Sequence, residues 1–167
     1  MKIIPINLYG YWHLQNKELL PDSSGVYCVY EERHNPFNHT SEIMRLLYIG
    51  GAGNIRGNIK IHLAYDNWLA NIAPEHELCF SVGYVDTENY QIAKNALIFE
   101  HKPPLNEDEF HLFPFSDTTI SLSGRTYLLR KRFVVCQLDS SQLMLDSMIE
   151  KDSYSEEILY YSNRKEG

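Results

Sequence analysis

The sequence predicts an α+β fold from the order of its elements and from the residues that punctuate them. Three short runs rich in apolar, β-branched and aromatic residues, at 26–31, 45–49 and 77–85, are each bounded by turn formers. Helical stretches follow the second and the third of these runs, giving strand, strand, helix, strand, helix. With 167 residues and 44% hydrophobic content, the chain can bury one sizeable core. A single domain over residues 1–136 is therefore expected, with its centre at 24–106 and an acidic helix or tail at 137–167.

Taken in order, Lys2 to Trp12 reads as an extended lead-in, which Pro5 should restrict to an edge or a path outside the sheet. The cluster Pro21-Asp22-Ser23-Ser24-Gly25 launches the first strand, Val26 to Glu31. Arg33 to Thr40 is polar, contains Asn35-Pro36 and reads as a hairpin loop before the second strand, Arg45 to Ile49. Asn54 is the expected N-cap of a helix from Ile55 to about His62, and a second helical piece spans Tyr65 to Ile72 before Pro74. Glu77 to Val85 is the third strand. Asp86 to Asn89 should start a helix at Tyr90, which Pro103-Pro104 ends near His101. Thr118 to Leu122 and Tyr127 to Val135 read as a final hairpin through Ser123-Gly124-Arg125, and Leu143 to Ile149 is one weak amphipathic run in a polar tail.

Composition narrows the function classes. No run of 18 apolar residues and no apolar segment after Met1 occur, so the expectation is a cytoplasmic protein with no membrane partner. Cys28, Cys79 and Cys136 each fall in a strand-like run and read as buried free thiols, with none at metal-ligand spacing. The net charge is −7. Residues 1–136 hold 12 Lys+Arg against 15 Asp+Glu, and residues 137–167 hold 3 against 7. A protein that grips DNA broadly needs a basic face to neutralise phosphates, and this chain lacks a global excess. Gly50-Gly51-Ala52-Gly53 has neither the lysine of a phosphate loop nor the third spaced glycine of a dinucleotide motif; it reads as a tight strand-to-helix link.

Three signatures occur in a fixed order. Gly25-Val26-Tyr27 opens the first strand, Tyr48-Ile49-Gly50 closes the second, and Pro103-Pro104-Leu105-Asn106 follows the later helix. Their order and spacing resemble the GIY-YIG nuclease superfamily, over residues 24–106, about half the chain. The resemblance implies a three-stranded antiparallel sheet flanked by helices, here with an extra C-terminal hairpin. It also implies that Tyr27 and Tyr48 project into one cleft beside a phosphodiester. A phenol there can orient the attacking water or hold a phosphate oxygen. The plain alternative is two half-buried sheet aromatics with wet hydroxyls.

Two further positions decide what such a site can do. The family carries an arginine ten residues beyond the second tyrosine, whose planar fork clamps phosphate; Asn58 stands there. Arg56 is about 200° away round the helix, whereas His62 shares the Asn58 face. The family carries a metal-binding glutamate nine residues before the proline; Lys94 stands there, and an ammonium repels a divalent cation. No carboxylate stands at an obvious compensating position, since Glu100 lies about 240° round the helix and Glu88 precedes it. The site positions are thus Tyr27, Tyr48, Asn58, His62 and Lys94. Arg56, Lys60 and Asn106 are the candidate nucleic-acid contacts, although Asn106 also suits a loop tie.

The resemblance therefore implies a degenerate nuclease of bacterial type acting as a nucleic-acid or protein interaction module. No metal site and no cofactor are expected. One alternative is an active DNA endonuclease with an altered site using Tyr27, Tyr48 and Lys94, which would bring in Mg²⁺ or Mn²⁺. The other is a pure protein–protein scaffold, engaging its partner through the acidic C-terminal region and the extra hairpin.

Overall fold

A computed structural model describes residues 1–60, 62, 64–109 and 113–137. The strands are β1 (Lys2–His13), β2 (Gly25–Asn35), β3 (Thr40–Ala52), β4 (Glu77–Tyr84), β5 (Thr118–Gly124) and β6 (Arg132–Val135). The helices are α1 (Ile55–Lys60), α2 (Tyr65–Ala70) and α3 (Tyr90–His101), with 3₁₀ segments at Leu14–Leu19 and Pro104–Glu109. The class is α+β. All six strands join one sheet in the order β3-β2-β4-β1-β5-β6.

β3, β2 and β4 are neighbours and pair antiparallel. They do not stand alone, however: β1 adds antiparallel to β4 and β5 adds parallel to β1, so the sheet is six-stranded and mixed rather than three-stranded. The lead-in is an internal strand between β4 and β5, although at Pro5 it keeps the one-sided pairing of an edge that the proline calls for. The register explains how the proline is accommodated. Lys2 to Leu8 pair with β5, and β4 takes over only from Leu8 onward. At Pro5, β1 has one neighbour, so the missing N–H has no ladder bond to lose on the other side.

Other boundaries shift for local reasons. The 33–40 loop shrinks to the turn at 36–39, because β2 and β3 stay paired out to Asn35 and Thr40. Residues 125–131 are a connection rather than strand, since Gly124 and Leu128 adopt positive φ (77° and 65°) and break the ladder. Helix α3 has the bounds the sequence predicts. Asp86 Oδ1 accepts bonds from the N–H groups of Glu88 and Asn89 before its first turn, and left-handed Lys102 closes it before Pro103. Cys28 and Cys79 are buried, but Cys136 is exposed just beyond β6. The amphipathic run at 143–149 lies outside the described residues, and no described helix is long and apolar enough to cross a membrane.

The central strands are buried on both faces, so β2 reads as a continuous apolar run. One face packs Val26, Cys28, Tyr30 and Ile49 against Ala93, Leu97 and Ile98 of α3. The other packs Tyr27, Val29, Leu47 and Phe80 against Ile55 and Ile59 of α1 and Trp68 of α2. A buried carboxylate fastens the sheet to the segment after α2. Glu31 accepts from Arg45 Nε (2.6 Å), His76 Nδ1 (2.6 Å) and the Ala73 N–H (3.0 Å). Burial alone would raise its pKa, but these bonds hold it below the usual carboxylate range.

Candidate functional site

The ladder itself brings the two signature tyrosines together. Tyr27 pairs with Gly50 and Val29 pairs with Tyr48, so the tyrosines are diagonal neighbours on one face of β2 and β3. Their ring centroids are 6.3 Å apart. Gly50 is opposite Tyr27 for a steric reason: a Cβ there would collide with the Tyr27 ring. Gly51 does the same for the opposite face, where Lys94 Cβ and Tyr90 of α3 press against the strand. The glycines of the second signature therefore let a tyrosine lie flat on one side and a helix approach on the other.

Tyr27 is 1% exposed, and its hydroxyl donates to Asn58 Oδ1 at 2.7 Å. Its pKa is driven far above that of a free phenol, first by burial and then by Tyr48 and Glu109. Tyr48 is only partly buried; burial and then Glu109 push it up to about 12. Both phenols are thus protonated near neutral pH and act as donors, not bases. His62 completes the aromatic cluster, with centroids 5.3 Å from Tyr48, 6.3 Å from Tyr27 and 4.6 Å from the buried Trp68. Its Nδ1 accepts from the Ala64 N–H at 3.1 Å, which places the ring proton on Nε2. Burial first, and then Lys94, lower its pKa.

Lys94 does not stand alone beside these rings. Its Nζ is 2.5 Å from Glu109 Oε2, and Glu109 Oε1 accepts from Asn106 Nδ2 at 3.0 Å. The sequence-based expectation that no carboxylate compensates at this place is corrected by Glu109. It arrives from the 3₁₀ segment after the Pro pair, fifteen positions beyond Lys94. Helical geometry around Lys94 could not have revealed it. A faint signal was available in Asn106 and Glu109 being three residues apart, one turn of a 3₁₀ helix.

Asn106 is 3% exposed and works as a clamp. Its Oδ1 accepts from the Ile49 N–H at 2.8 Å, and its Nδ2 donates to the Ile49 carbonyl at 3.0 Å. It thereby acts as a strand partner on the outer side of β3, which is an edge of the sheet. A nucleic-acid contact from Asn106 would need these bonds broken. Arg56 is directed elsewhere too: its Nε donates to the Leu20 carbonyl at 2.6 Å, fastening α1 to the preceding segment. Lys60 ends α1, and its side chain lies outside the described part.

The fold therefore gathers Tyr27, Tyr48, Asn58 and His62 on one face, brings Lys94 from α3 on the other face together with Glu109 and Asn106 at the β3 edge beside them, and leaves Arg56 apart. A divalent cation does not fit this arrangement. Lys94, where the resemblance would place a carboxylate, is paired with Glu109, and among the described residues no three His, Cys, Asp or Glu groups stand in metal-holding geometry. Compared with family models, curated proteins and solved structures, the chain matches none of them.

Proposed function

We propose that this chain is a degenerate relative of the GIY-YIG nucleases, in which the former catalytic face has become an internal joint and the domain serves as a nucleic-acid or protein interaction module. The Lys94–Glu109 ion pair at 2.5 Å carries this reading. It neutralises internally the charge that phosphoryl chemistry would need to direct at substrate. Tyr27 supports it as well, because its proton is already given to Asn58 and its ionisation is suppressed by burial.

Glu109 also favours a second reading, an endonuclease with a rearranged site. There Glu109 replaces the carboxylate missing at position 94, and Lys94 offsets charge on the phosphate. Plasmid cleavage by the purified full chain with Mg²⁺ or Mn²⁺ separates the two. The first reading expects no nicking. Metal-dependent nicking lost on Tyr48→Phe and on Glu109→Gln would replace it with the second.

A further inference from the structure

Positive charge in this acidic chain is concentrated in one short stretch. Residues 118–138 contain four of the fifteen Lys+Arg and none of the twenty-two Asp+Glu, leaving eleven against twenty-two elsewhere. All four cations, Arg125, Arg130, Lys131 and Arg132, are exposed and fall within eight residues at the β5–β6 connection. Arg130 is paired with Glu100 at 2.8 Å, and Arg125 Nε donates to the Gly10 carbonyl at 3.2 Å. Lys131, Arg132 and the outer nitrogens of Arg125 therefore carry the charge offered to a ligand. The fold sets a cavity of about 680 Å³ beside them, lined in part by Tyr11, Arg125, Thr126, Tyr127 and Lys131. Tyr127 is 58% exposed, and the Tyr11 hydroxyl is bonded to the Tyr127 main chain. Glu42 also lines this cavity, but its carboxylate is held by Arg33 at 2.5 Å.

We propose that the β5–β6 connection binds single-stranded nucleic acid, with Arg125 and Lys131 meeting phosphates and Tyr127 stacking on a base. An exposed aromatic among cations, beside a concave surface, suits alternating bases and phosphates better than an acidic peptide, which needs only the cations. The narrowness of the strip selects a single strand. A duplex is a broad rigid polyanion and would lie against the remainder of the chain, whose net charge is −11. Arg125, Lys131 and Arg132, within eight residues, can follow one backbone without that repulsion. The cavity also takes Ser41, Glu42 and Ile43 from the start of β3, but Tyr27, Tyr48, Asn58 and His62 do not line it, and the proposal does not rest on the family resemblance.

The test is fluorescence anisotropy at low salt with the full chain and three probes: a single-stranded oligonucleotide of about twelve nucleotides, the corresponding duplex, and poly-glutamate. The single strand should bind tightest. Arg125→Glu with Lys131→Glu should weaken it at least about tenfold and lower the salt slope by about 1.4. Tyr127→Ala should weaken it about tenfold with the salt slope unchanged. Lys2→Ala, which removes an exposed cation of β1 outside the connection, should leave binding as it was. Any one of four results would overturn the proposal: no binding, indifference to the charge reversal, equal capture of poly-glutamate, or tighter capture of the duplex. Loss of binding on Lys2→Ala alone would relocate the interaction outside the connection, and so reject this site.

Discussion

The tyrosine face of β2 and β3 and the β5–β6 connection hold similar side chains, tyrosines with nearby cations, yet the fold uses them oppositely. On the tyrosine face and at the β3 edge beside it the polar groups find partners within the protein: Tyr27 with Asn58, Lys94 with Glu109, Asn106 with Ile49. Aromatic rings close over them down to the fully buried Trp68. At the connection Arg130 is paired with Glu100 and Arg125 Nε with the Gly10 carbonyl, but Arg125, Lys131 and Arg132 stay exposed and no acidic residue occurs between positions 118 and 138. A polar side chain is available to a ligand only when the protein has not already satisfied it, so the motif-bearing face is the less available of the two.

The largest effect that tests this contrast is on packing. Trp68→Ala should destabilise by about 3–5 kcal/mol, because it empties the space beneath His62 and Tyr48. Urea unfolding measures it, and a loss below about 1 kcal/mol would mean the tyrosine face is looser than the structure indicates. Gly50→Ala comes next, at about 1–3 kcal/mol, since the added Cβ must displace the Tyr27 ring. Asn106→Ala should cost a comparable amount, about 1–3 kcal/mol, by leaving the Ile49 N–H and carbonyl without partners. On the other side of the comparison, Lys131→Glu should change stability by no more than about 0.5 kcal/mol, while nucleic-acid binding falls. A large loss of stability there would show that the connection is structural after all.

The pH response gives the smallest signal and sharpens the comparison further. The folded pKa values of His62 and His101 lie below the ordinary 6.5, both through burial first. In each case the unfolded chain binds protons more readily than the folded one. Their contribution to stability is therefore complete above pH 6.5 and is lost as the pH falls below it. At His101 protonation also removes a bond, because Nε2 accepts from the Arg130 N–H at 2.9 Å while Nδ1 faces the Leu97 carbonyl. The melting temperature should decline on acidification through this window, and His62→Gln with His101→Gln should flatten the decline. Glu31 acts in a lower window: its depressed pKa stabilises above 4.5 and that contribution disappears below it. An unchanged acid profile in Glu31→Gln would remove that carboxylate from the account.

The sequence by itself determined what depends on neighbours along the chain. Periodicity and turn residues placed β2, β3 and β4, and Asp86 with the Pro pair fixed both ends of α3. That Tyr27 and Tyr48 share a side was implied by the family resemblance and depends on the register, which pairs Tyr27 with Gly50 and Val29 with Tyr48. Only the tertiary structure decided what depends on distant pairing. It made β1 a bridge between β4 and β5, where Pro5 had suggested an edge or a path outside the sheet, because the two partners take up β1 at different points and leave Pro5 paired on one side. It brought Glu109 to Lys94, since the chain turns back after Pro103 and no local period encodes that approach. It also buried Asn106 against β3 and left Arg125 and Lys131 open. Residue type gives a side chain its chemistry, but burial and partners decide whether that chemistry faces inward or is left for something else to meet.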